Sequence, residues 1–203
     1  MPKFDEMYTV LPFGGSDVRA HYKRYAEWLA RQSDAAMEAR RLEAEMIFRR
    51  VGITFAVYGT KDSGGAGNER LIPFDLVPRI ISAQEWARME RGLVQRVTAL
   101  NRFLHDVYHA QDILRAGIVP ADLVLENAQY RPEMAGVQLP RGIYAHIAGI
   151  DIVRAANAQG EGVFYVLEDN LRVPSGVSYM LEDRKTMMRL FPAPFSMHAS
   201  TPV

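Results

Sequence analysis

The chain has 203 residues, 48% of them hydrophobic, with 24 basic side chains against 24 acidic ones. That length and apolar content suit one globular domain, or two small ones sharing a core, and exclude a disordered chain. The zero net charge gives no electrostatic footing for nucleic acid or an anionic membrane, and the absence of cysteine removes disulfides, thiolate nucleophiles and Cys-held zinc.

Residues 1–18 carry Pro12, Gly14 and Gly15 and read as an irregular leader, packed down by Phe4, Tyr8 and Phe13. The segment MPKFDEMYTV lacks the basic and apolar regions of a signal peptide. No run approaches membrane-spanning length, and a cytoplasmic location is the expectation. Residues 20–51 read as helix with a break near Ser33 and Asp34. Tyr25, Trp28 and Leu29 form one apolar stripe, Leu42, Met46 and Ile47 a second, and Gly52 the stop. Arg40, Arg41, Arg49 and Arg50 interleave with Glu38, Glu43 and Glu45, the pattern of a solvated face. Residues 53–58 are strand-like. The loop GTKDSGGAGN at 59–68 matches neither glycine-rich phosphate motif and reads as a surface connection. Residues 70–81 hold two prolines and suit an edge strand or an extended connection, with Arg79 either paired to an acid or exposed at a turn.

The strongest helical pattern covers 82–116. Ser82 and Glu85 have capping-box spacing, Trp86, Met89, Leu93, Val97, Leu100, Leu104 and Val107 keep a core period, and Gly117 ends it. His105 and His109 stand at i, i+4, a spacing that can hold zinc, but no third ligand is apparent, and helix-surface histidines are the ordinary reading. Pro120 opens a short helix to Leu125, and 130–140 is a loop. Residues 179–191 read as an amphipathic helix with Met180, Leu181, Met187, Met188 and Leu190 toward a core; 192–203 is a non-helical tail.

Between these helices lies the stretch with the most chemistry, 143–179. Ile143–Val153 and Val163–Leu167 are β-rich runs joined by a loop with Asn157, Gln159, Gly160, Glu161 and Gly162. A hairpin symmetric about Gln159 and Gly160 places Asp151 opposite Glu168, with Asn170 on the face of Glu168. Cross-strand Cβ atoms are about 5 Å apart, so the three converge, on the condition that no slip moves Asp151 to the other face. Two carboxylates and an amide carbonyl suit a hard cation such as Mg²⁺; solvated acids at a hairpin end are the plain alternative. Arg172 shares their face if the strand continues, though Pro174 argues that it stops. Ser175, Gly176 and Ser178 after Pro174 form either a turn whose donors receive phosphate oxygens or an ordinary serine-capped turn.

The run Y-V-L-E-D-N-L-R-V-P-S-G-V-S-Y at 165–179, preceded by G-I-D-I-V-R at 149–154, resembles the metal-binding hairpin of ATP-grasp enzymes. It is most similar to the circularly permuted ATP-grasp family, with its glutathionylspermidine synthase-like relatives. F-D-E-M at 4–7, G-I-T-F-A-V-Y-G at 52–59, R-L-I-P-F-D-L-V-P-R at 70–79 and R-P-E-M at 131–134 extend the resemblance upstream. It implies an α/β (α+β) fold: a mixed helix and strand region over 1–140, a partial ATP-grasp domain with its hairpin over 141–191, and a divergent tail over 192–203. It implies ATP and Mg²⁺ as cofactors, the metal on Asp151, Glu168 and Asn170, Arg172 as the catalytic side chain at the phosphoryl group or reacting carboxylate, and Ser175, Gly176 and Ser178 on phosphate. The implied activity is ATP-dependent ligation of a small carboxylate to an amine through an acyl phosphate, with peptide-like substrates admissible and no nucleic-acid or membrane partner. In that family the ATP-cradling sheet and its lysines follow the hairpin, so this chain is expected to carry half of the active site. A non-catalytic module binding metal or a partner chain is the second reading, and a zinc hydrolase on His105 and His109 a third.

Overall fold

The computed structural model describes residues 4–11, 13–57 and 68–197. In chain order its elements are β1 (Tyr8–Val10), β2 (Ser16–Val18), α1 (Lys23–Leu29), α2 (Asp34–Val51), β3 (Thr54–Val57), β4 (Asn68–Leu71), α3 (Ala83–Tyr108), α4 (Asp112–Arg115), α5 (Ala121–Leu125), β5 (Gly149–Ala156), β6 (Gly162–Asn170), α6 (Gly176–Leu190) and α7 (Pro192–Met197). They divide into two compact units, one of Ala83–Pro174 and one of residues 4–82 with 175–197.

In the unit of 4–82 and 175–197 the expected irregular leader is a hairpin, β1 paired antiparallel with β2. Gly14 and Gly15 turn the chain at φ 90° and 86°, values that cost glycine little. Three-residue strands are too short to show a period, and Phe13 at the tip is fully exposed rather than packed. The break near Ser33 is real. Ser33 caps α2 by accepting the Ala36 N–H at 3.2 Å, and Gly52 ends it in the left-handed region at φ 76°.

The buried face of α2 is Ala44 and Phe48, whereas Leu42 and Met46 are 47% and 62% exposed. Ala44, Met187, Leu190 and Phe191 form the core, with Trp28, Met37, Ile47, Phe74, Leu76 and Phe195 packed on it. Met180 and Met188 of α6 are half exposed, and the expected non-helical tail is helical over Pro192–Met197. β3 and β4 pair antiparallel; the glycine-rich connection and its phosphate-loop reading lie outside the described residues. Beyond β4, the Tyr25 hydroxyl donates to the Leu76 carbonyl at 3.1 Å and the Ile80 N–H donates to the Tyr22 hydroxyl at 2.8 Å. Arg79 is exposed and paired, 3.4 Å from Glu6.

In the unit of Ala83–Pro174, α3 stops at Tyr108, eight residues short of its expected end at 116. The Asp106 carboxylate accepts the N–H groups of Asp112 and Ile113, both at 3.0 Å. It thereby starts α4 as a separate turn after Gln111, which is left-handed at φ 57°. Those N–H donors hold the Asp106 carboxyl below the usual carboxylate range. Met89, Val107, Leu114, Ala145 and Ala155 are the buried apolar residues here, while Trp86 is half exposed. Asn101 Oδ1 accepts the N–H groups of Tyr144 and Ala145 at 2.7 and 3.0 Å, which fixes the approach to β5 along α3. The hairpin β5–β6 turns on Asn157, whose side-chain oxygen accepts from Gln159 and Glu161, and on Gly160 at φ 78°.

Candidate functional site

Asp151 pairs with Glu168 across the hairpin and Gly149 with Asn170. The expected opposition of the two acids is therefore present, by a route the sequence pattern did not show. From Ala156↔Gly162 to Ile152↔Val166 the ladder is continuous, and its extension would set Asp151 against Leu167. A bulge between Asp151 and Ile152 removes Leu167 from the ladder and brings Glu168 opposite Asp151. One extra residue reverses the alternation of β6. Before the bulge Phe164 and Val166 share a face with Arg154 and Ile152. After it Asp169 takes that face, opposite Ile150, and Glu168 and Asn170 join Asp151 on the other.

Each face has its own surroundings. The Arg154 guanidinium lies over the Phe164 ring, 4.2 Å from its centre, and meets Glu85 of α3 at 2.5 Å. Arg96 of α3 grips Asp169 through two bonds, Nε to Oδ1 at 2.7 Å and an η nitrogen to Oδ2 at 2.5 Å, the planar fork that matches guanidinium to carboxylate. This hydrogen bonding holds the Asp169 carboxyl below the usual range. A cleft of about 570 Å³ also lies on this side, lined by Met89, Gly92, Leu93 and Arg96 of α3 and by Ile152 and Phe164 of the hairpin. It contains none of Asp151, Glu168 and Asn170.

On the opposite face Asp151 and Glu168 are exposed, and Asn170 Nδ2 donates to Glu168 Oε1 at 3.0 Å. That bond uses the amide nitrogen and leaves the carbonyl oxygen as an acceptor. Two carboxylates directly across a sheet repel, and a cation bound between them would relieve that repulsion. The donor set is all oxygen and fits Mg²⁺, which takes one or two carboxylates and keeps water on its other positions. Among the described residues no group of three or more His, Cys, Asp or Glu is placed to hold a metal, so Asn170 must be counted for the set to reach three.

Gly149, opposite Asn170, is required by packing. A Cβ there would lie 2.7 Å from the Pro174 Cβ. Pro174 follows Val173, which is 82% exposed and left-handed at φ 50°, a conformation that β-branched residues rarely adopt. The chain thus leaves β6 in a sharp reversal that lays Pro174 against Gly149. Arg172 within the reversal donates to Gln129 Oε1. Among the described residues no hydrogen bond or ion pair joins it to Asp151, Glu168 or Asn170. Ser175, Gly176 and Ser178, expected as a turn, are instead the start of α6. Ser175 is the N-cap without a side-chain cap bond, and the Ser178 hydroxyl is 3.4 Å from the Ser175 carbonyl. They belong to the second unit.

The histidine pair is engaged. The rings stack with centroids 4.1 Å apart, His109 Nδ1 donates to the His105 carbonyl at 2.8 Å, and its Nε2 accepts from Gln138 at 3.1 Å. No third acid, thiolate or imidazole joins them among the described residues. Sequence reasoning missed Arg96 and Asp169, because nothing in the spacing of a helical arginine names a partner more than seventy residues away. The G-I-D triplet held a usable signal for Gly149, since glycine within a strand marks a close backbone approach.

Comparison with known proteins places the chain in a family. Residues 78–203 match a family model described as a circularly permuted ATPgrasp. An uncharacterized protein of Mycobacterium leprae is 43% identical over 96% of this chain and 32% of its own length. One of Synechocystis is 39% identical over 97% of the chain and 39% of its own. A Frankia casuarinae protein provisionally named glutamate–cysteine ligase 2-2 is 41% identical over 86% of the chain and 19% of its own. The chain spans about a third of the length of the first two relatives. With the family model matching more than half of its residues, the chain belongs to the circularly permuted ATP-grasp family.

Proposed function

We propose that this chain supplies the metal-binding hairpin of an ATP- and Mg²⁺-dependent carboxylate–amine ligase. In that reaction class ATP phosphorylates a carboxylate, and an amine then attacks the acyl carbon and displaces phosphate. The observation that carries the proposal is the pairing of Asp151 with Glu168, with Asn170 bonded to Glu168 on the same face. Family membership and the ligase name of the Frankia relative support the reaction class.

Mg²⁺ bound to this face would supply positive charge against the phosphate oxygens. Asp151 and Glu168 would hold it by their carboxylates and Asn170 by its carbonyl. Arg172 is the candidate for stabilising the transferred phosphoryl group; its bond to Gln129 keeps the guanidinium oriented. The N–H groups of Gly176 and Ser178 open α6, where unpaired donors and the helix dipole favour an anion.

Electron paramagnetic titration with Mn²⁺, a spin-active substitute for Mg²⁺, tests the site. The wild-type chain should bind Mn²⁺ at one site, and Asp151→Asn should weaken that binding by about tenfold or more, roughly 1.4 kcal/mol. Equal binding by a folded Asp151→Asn variant would remove Asp151 from the ligand set.

A further inference from the structure

The bulge in β6 leaves two registers open to the hairpin. In the one observed, Leu167 stands outside the ladder, Glu168 faces Asp151 and Asp169 faces Ile150. In the other, the continuous pairing of Ile152 with Val166 runs on, so that Leu167 faces Asp151 and Glu168 faces Ile150. The second register repairs the ladder and separates the two opposed acids. It also brings Glu168 to the face, and to the strand position, from which Asp169 now reaches Arg96. Arg96 is thus a single guanidinium that either of two consecutive carboxylates can take, one in each register.

We infer that Asp169 is the register-determining residue of this hairpin. By filling the Arg96 fork through two bonds at 2.7 and 2.5 Å, it excludes Glu168 from the α3 side and holds it on the face of Asp151. The Asp169 side chain is 15% exposed and that of Arg96 44%, so the selectivity comes from the planar fork, which discriminates position as well as charge. One further feature favours the same register: Pro174 packs on Gly149. Against these stand the repulsion between Asp151 and Glu168 and the unpaired bulge residue. Asp169 is a positioning residue: it touches neither of the opposed acids, and it acts by deciding which face Glu168 occupies. The register selection stands on the pairing alone; its consequence for ligand binding rests on the metal role proposed above.

Nuclear Overhauser contacts across the strands, measured on the ligand-free chain, test the selection separately from any metal binding. Wild type should show Asp151 against Glu168. In Asp169→Asn the contact of Asp151 should move to Leu167, and the Arg96 side chain should move from residue 169 to Glu168. Asp169→Glu, which keeps a carboxylate, should retain the wild-type contacts. The double variant Glu168→Gln with Asp169→Asn, which removes the competitor as well, should also keep residue 168 opposite Asp151. Wild-type contacts in folded Asp169→Asn, or a slipped register in Asp169→Glu, would overturn the inference. Should Asp169→Asn not fold, the double variant decides in its place. Folded with native pairing, it supports the selection; unfolded or slipped, it overturns it.

Discussion

Asp183 of α6 shows at the scale of one residue what an unanswered polar atom does. Its Oδ1 is buried with no hydrogen-bond partner among the described residues, and burial raises its carboxyl above the usual range. The folded state therefore holds this proton to higher pH than the unfolded chain does, and stability falls as pH rises through that interval. The cost is complete above the raised value and absent below the ordinary aspartate value. Asp183→Asn should accordingly raise the melting temperature at pH 7, by an amount corresponding to about 1 kcal/mol. The advantage should shrink toward zero below the ordinary aspartate range. Thermal melts of both proteins across pH 3–8 check the sign. Asp106 is the opposite case, a carboxylate with two N–H donors at 3.0 Å, whose stabilising effect is lost on acidification.

At the scale of the element, the hairpin accommodates one extra residue, Leu167, in its bulge. That side chain is 66% exposed, and its structural effect is to reverse the alternation of β6. Deleting Leu167 should leave Asp151 opposite Glu168 in an unbulged ladder, with little loss of packing and a stability within about 1 kcal/mol of wild type. Loss of the Asp151–Glu168 contact in the deletion variant would show that the bulge does more than set parity. The hairpin centre near Gln159 and Gly160 was legible in the sequence from its loop residues, but the ladder beside the loop would set Asp151 against Leu167, and the opposition of the acids comes from the bulge. The bulge was not legible, since a ladder about Gln159 reads equally well without it, and the difference lies in contacts with α3. The same limit explains the helices. Ser33 and Gly52 announced the ends of α2 by local chemistry, but the early end of α3 depends on Asp106 folding onto α4. The start of α6 at Gly176 was hidden behind a Pro-Ser-Gly sequence that reads as a turn.

At the scale of the whole molecule, Asp151, Glu168, Asn170 and Arg172 lie in the unit of Ala83–Pro174, while Ser175, Gly176 and Ser178 begin the next stretch of the other unit. The family's curated relatives in Mycobacterium leprae and Synechocystis are about three times as long as the matched region, and the ligase activity is a proposal. For the chain itself we propose less: the acid face of the hairpin would hold a metal–nucleotide complex. Calorimetric titration of Mg·ATP into the 203-residue chain and into its Glu168→Gln variant tests it most directly. The account predicts saturable binding by wild type and at least about tenfold weaker binding by the variant. A well-folded wild type that binds no Mg·ATP, or a variant that binds it equally well, would contradict the account.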